Sequence, residues 1–118
     1  MRVLKYSEEN TTLDDDESVT LSLETNHKLA SLVVLLIDRG SEEDGQPETY
    51  DLTTRIDIRG NAFSDVTTRV RENTDKRRHE FVPIPNTMEF DLTKASSGES
   101  QYRVAAMLLG GVNYGTTS

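Results

Sequence analysis

Asp14-Asp15-Asp16-Glu17 is the densest run of potential ligands in the chain. Clustered carboxylates suit a hard cation such as calcium, but this run lacks the glycine and the distal glutamate of an EF-hand loop. A cation would need oxygens from elsewhere in the fold, so the run reads as a solvated acidic linker and no metal site is expected. Asp51 and Asp57 project from one face of a single strand, where paired carboxylates can divide acid and base work. Arg55 stands between them, and a wetted ladder of alternating charge needs no catalytic role. His27 and His79 have no partner at metal-ligand spacing; the first falls in a turn and the second beside a basic run, and both read as solvated side chains. Lys76-Arg77-Arg78 has the charge to meet an acidic partner or a phosphate backbone, yet as a polar turn between strands it is simply hydrated. Asn10-Thr11-Thr12 matches a glycosylation acceptor, which matters only in a secreted protein. There is no nucleophile elbow, no H-E-x-x-H and no phosphate-binding glycine loop, and no cysteine to serve as nucleophile or zinc ligand. The chain is read as a non-enzyme without cofactor.

The scaffold that positions these residues is one domain, since 118 residues with 34% hydrophobic content bury a single core. With 21 acidic against 13 basic residues the net charge is -8, which argues against nucleic acid as a partner. Arginine-weighted basic residues and abundant Asp and Glu also match the surfaces of proteins from salt-loving organisms; an ordinary acidic protein shows the same balance. Molar salt should then raise the melting midpoint by screening self-repulsion. The longest apolar run, 32–37, is too short to span a bilayer, and residues 1–6 lack the apolar stretch of a signal peptide, so a soluble, unprocessed chain is expected.

Val19, Leu21 and Leu23 alternate with polar residues, the period of a half-buried strand. Residues 29–37 are nearly all aliphatic and β-branched at the centre, which predicts a strand covered on both faces. Residues 39–48 form a solvated loop. Tyr50, Leu52, Thr54, Ile56 and Ile58 alternate with charge, and a turn at 60–62 leads into a strand through Val66, Thr68 and Val70. A three-residue turn there sets Ile56 against Val66, Leu52 against Val70 and Asp51 against Arg71. Residues 72–78 read as a polar turn. Pro83 and Pro85 place 81–85 on a sheet edge or in a crossing between sheets. Met88, Phe90 and Leu92 make another alternating strand, 94–100 a loop, and 102–109 a last apolar segment that reads as strand in preference to helix. Seven strands and no clear helix predict an all-β antiparallel two-sheet sandwich, immunoglobulin-like or jelly-roll, over 18–111. It carries an extended arm and acidic linker over 1–17 and a flexible tail over 112–118.

With few aromatics and no tryptophan, a sugar-binding face is disfavoured. The apolar residues of the two ends, Val3, Leu4 and Tyr6 in the arm and Val112 and Tyr114 in the tail, are the candidates for docking on neighbouring subunits. Removing residues 1–10 should then leave the sandwich folded.

The acidic arm, the stretches VTLSLETNHKLASLVVLLIDRG and TMEFDLTKASSGESQYRVAAMLLGG, and the short tail together resemble the small all-β virion proteins of tailed viruses of bacteria and archaea. The resemblance covers 18–111. It implies a non-enzymatic capsid-decorating, minor capsid or tail-associated subunit, assembled in the host cytoplasm, whose partners are its own copies and other virion proteins. Within that resemblance, the composition would place the host among haloarchaea. A second resemblance, to coat proteins of single-stranded RNA phages, meets an acidic chain with no basic sheet face for an RNA hairpin. The other alternative is a cellular β-sandwich module binding protein or carbohydrate.

Overall fold

The computed structural model describes residues 2–39, 48–58, 61–72, 76–84 and 86–111, with side chains at all of these except 48, 56–58, 61–66 and 72. Eight strands follow one another: β1 (Arg2–Leu13), β2 (Ser18–Glu24), β3 (Ala30–Arg39), β4 (Glu48–Ile58), β5 (Asn61–Glu72), β6 (Lys76–Phe81), β7 (Thr87–Lys94) and β8 (Ser100–Gly110). They form two four-stranded sheets of order β1-β8-β3-β6 and β2-β7-β4-β5, antiparallel throughout. Every connection except the β4–β5 hairpin passes from one sheet to the other. Of the two sandwich types expected, this order is the jelly roll.

Alternation decides which side chains fill the space between the sheets. Leu21 and Leu23 of β2, Met88, Phe90 and Leu92 of β7 and Tyr50 and Leu52 of β4 meet Val33, Leu35 and Ile37 of β3 and Tyr102, Val104 and Leu108 of β8 in one core. The expected strand over 102–109 is β8. Gly110 closes it for a steric reason: a Cβ there would lie 1.9 Å from the Leu29 carbonyl oxygen. In the same β2–β3 crossing that contains Leu29, buried Thr25 donates its N–H to the Asn86 carbonyl at 2.8 Å and its hydroxyl to the carbonyl of Ile84, tying the exit of β2 to the β6–β7 crossing.

Several expectations are overturned. The arm over 1–17 is strand β1 and a turn: Lys5 to Leu13 pair without interruption with Leu108 to Ser100 of β8. An edge strand needs a ladder partner on one side and little apolar surface, so its polar sequence hides it; Leu13 is buried in the core and Leu4 packs against it. The sandwich therefore includes β1, and among the described residues it has eight strands where seven were expected. Residues 76–78 start β6 instead of lying in a turn, while Pro83 does fall in the crossing between sheets. Arg39 ends β3, and Asn61 and Ala62 already pair with Ile58 and Asp57. The β4–β5 register differs from the expected one by two residues, with Thr54 across from Val66, Tyr50 from Val70 and Asp51 from Arg69. A shift of two keeps every side chain on its face, so the pattern alone could not choose between the registers. Residues 59 and 60, residues 40–47 where a loop was expected, and residues 112–118 with Val112 and Tyr114, where a flexible tail was expected, lie outside the described residues. Finally, β3 is covered on both faces only in part: Val34 is buried on the outer side, whereas Leu36 is 39% exposed.

Candidate docking face

The outer face of the β1-β8-β3-β6 sheet is built from rows that cross all four strands. One row runs Tyr6, Met107, Val34, Glu80; the next Glu8, Ala105, Leu36, Arg78; the third Asn10, Arg103, Asp38, Lys76. Because each strand alternates in phase with its neighbours, the outward residues of β3 and β8 gather into an apolar floor. Tyr6, Leu36, Ala105 and Met107 line a shallow depression of about 450 Å³ whose margin carries Lys76, Arg78 and Arg103.

Ion pairs frame the floor. Arg103 donates from Nε and Nη2 to Glu8 Oε1 at 3.1 and 3.0 Å, and the Tyr6 hydroxyl donates to the same carboxylate oxygen. The Tyr6 bond, then the Arg103 bond, holds the Glu8 pKa below its ordinary value, and its carboxylate raises those of Tyr6 and Arg103 in return. Arg78 Nη2 donates to Glu80 at 2.7 Å along β6. Tyr6 is thus tied to Glu8 along β1 while still 55% exposed.

The expected docking residues part company here. Tyr6 lines the depression, and Val3 is exposed at the start of β1. Leu4 packs against the core instead of projecting to a neighbour. Leu36, Ala105, Met107 and Arg103 were not among the expected docking residues. They fall inside runs that read as core, and only the order of strands shows that their outward positions converge.

The other candidates find structural roles. In the acidic run, Asp14 accepts the N–H groups of Asp15 at 2.7 Å and Gly98 at 3.1 Å, and Glu17 accepts that of Asp14 at 2.7 Å. Asp16, at a φ of 66°, donates its N–H to Lys94, so the run is the tight crossing from β1 to β2. Among the described residues no group of three potential ligands could hold a metal ion. Asp51 forms a bidentate pair with Arg69 at 2.8 and 3.0 Å, which lowers its pKa, while the Asp57 side chain lies outside the described ones. His27 accepts the Leu29 N–H at 3.1 Å within its turn.

His79 is not the solvated side chain expected. It faces inward from β6, stacked on Phe81 with centroids 6.5 Å apart, and its Nε2 is buried without a hydrogen-bond partner among the described residues. It lines a second, apolar opening of about 400 Å³ between the sheets, with Leu52, Phe81, Ile84 and Met88. Deeper in the core, burial pushes the Tyr50 hydroxyl up to about 12.

No protein-family model matches the chain, and no curated protein matches it. Solved structures do. A crystal structure of Tripeptidyl Peptidase 2 (TPP II) matches with a TM-score of 0.72 at 10% identity over 96% of this chain. This chain spans only 11% of the length of that peptidase. The Yersinia pseudotuberculosis-derived mitogen (YPM) matches with a TM-score of 0.52 at 13% identity, over 96% of this chain and 95% of that one. Both likenesses show the fold alone.

Proposed function

We propose that this chain is a non-enzymatic structural subunit that works through protein–protein contacts made by the outer face of the β1-β8-β3-β6 sheet. The observation that carries the reading is the apolar floor of Tyr6, Leu36, Ala105 and Met107 inside a rim of arginines. Aromatic residues, methionine and arginine are the side chains enriched at protein interfaces, and an apolar centre with a polar rim is their anatomy. At its margin Lys76, Arg78 and Arg103 stand beside Glu8, Asp38 and Glu80, with Arg103 paired to Glu8 and Arg78 to Glu80, so the rim is polar and built of ion pairs. Its fitting occupant is a protein surface with an apolar centre and a polar margin.

The setting we propose is a virus particle, as a capsid-decorating, minor capsid or tail-associated subunit. This rests on the resemblance of the chain to small all-β virion proteins. Mass spectrometry of purified particles and of host extract tests it: the chain should be enriched in the particles. Recovery of the chain only as a free species in the extract would favour a cellular binding module with the same docking face.

A further inference from the structure

The two edges of the docking sheet complement each other, and we propose that copies of this chain join head to tail, β6 of one copy pairing with β1 of the next. The proposal rests on the reading of the chain as a structural subunit but uses a different surface, the open edges of the sheet. β1 and β6 end the order β1-β8-β3-β6, so among the described residues each has a strand neighbour on one side only. All three pairings in the sheet are antiparallel, which makes β1 and β6 run in opposite directions. A second copy set beside the first in the same orientation therefore offers β1 as an antiparallel partner to β6, and the sheet continues without a break in pattern.

The register supplies the charge complementarity. Glu8 pairs with Ala105, Ala105 with Leu36 and Leu36 with Arg78, so Glu8 and Arg78 occupy opposite ends of one row. Glu9, Val104, Ile37 and Arg77 form the adjacent row on the other face. Continuing these rows into a second copy sets Arg78 across from Glu8 and Arg77 across from Glu9, one opposite-charge pair on each face. Along the rest of β6, Lys76 meets Asn10, Glu80 meets Tyr6 and Phe81 meets Lys5, so no like charges stand opposed. The same continuation brings Ser7 opposite His79, whose buried Nε2 lacks a partner among the described residues. Beyond the ladder, Val82 follows β6 at 77% exposure and Val3 opens β1 at 52%, at the same end of the two strands.

Because the two edges differ, the contact is heterologous, and repetition makes either a closed ring or an open filament, according to the rotation between copies. The right-handed sheet twist supplies a rotation at each step.

The absence of cysteine makes the test clean. Asn10→Cys and Lys76→Cys in one full-length chain place thiols on one row while keeping Glu8, Glu9, Arg77 and Arg78. Within a chain these positions are three strand spacings apart, about 14 Å, well beyond the roughly 7 Å Cα separation that a disulfide spans. Oxidation of the concentrated double variant should give a ladder of trimers and larger species on a non-reducing gel, lost on reduction. Each single variant should stay monomeric, and an equimolar mixture of the two should stop at dimer. Adding Arg77→Glu and Arg78→Glu to the double variant should remove the ladder while a thermal melt still reports a folded chain. No ladder from the double variant, dimers from Lys76→Cys alone, or a ladder unaffected by reversing the arginines would each overturn the proposal. A chain that forms no ladder yet still travels with the particle keeps the structural reading and loses only the head-to-tail contact.

Discussion

His79 is the side chain whose surroundings depart furthest from its sequence context. Burial, reinforced by the charge of Arg77, lowers its pKa below the ordinary 6.5, so the folded state prefers the neutral ring. The sign follows from linkage: as pH falls through about 6.5 the unfolded chain gains a proton that the folded chain refuses, and stability declines until the folded pKa is reached. Asp51 and Glu8, both with lowered values, add losses only further into acid. Denaturant melts between about pH 7 and pH 5, the range in which histidine rather than carboxylate titrates, should therefore show a loss of stability in the wild type. His79→Gln should flatten that loss. An equal slope in both chains would show that His79 is not the group responsible.

At the scale of the strand, β3 separates what the sequence pattern reveals from what it hides. Its aliphatic run marks it as central, and Leu35 is indeed wholly buried among core side chains, so Leu35→Ala should cost about 2–5 kcal/mol. Leu36 lies one residue on, faces out and is partly exposed, so Leu36→Ala should cost less than about 1 kcal/mol by chemical denaturation. An unbroken apolar run carries no alternation to tell the two apart; that needed the order of strands, which no local signal in this chain encodes. Strands such as β2 and β7, buried on one face, were legible because every second residue is apolar. β1 and β6 were not, since an edge strand draws its order from main-chain bonds to one neighbour and tolerates sequences such as SEENTT and KRRHEF. The docking face was legible only through Tyr6 for the same reason: its floor is the outward half of strands whose inward half is core. The placement of β1 also reverses the expectation for truncation. Removing residues 1–10 strips most of a ladder from β8 and takes Leu4 from the core, so the melting midpoint should fall markedly. An unchanged midpoint would mean that β1 adds nothing to the sandwich.

For the whole molecule, shape and charge act on different properties. A net charge of -8 on one small domain weakens the fold through self-repulsion, so the melting midpoint should rise from dilute buffer to molar chloride as the screening length shrinks. A midpoint independent of salt would count against that balance. The jelly roll leaves one sheet with an apolar floor, an arginine rim and two open edges, and the central claim is that this sheet exists to be covered by protein. Leu36→Glu tests it most directly, because Leu36 lies at the middle of the floor yet contributes little to the core. Wild-type and variant chains would be followed by mass spectrometry across a density gradient of particles, with melting midpoints measured in parallel. The wild type should travel with the particle and Leu36→Glu should remain free at the top of the gradient with its midpoint nearly unchanged. Equal association of both chains with the particle, or of neither, would contradict the claim.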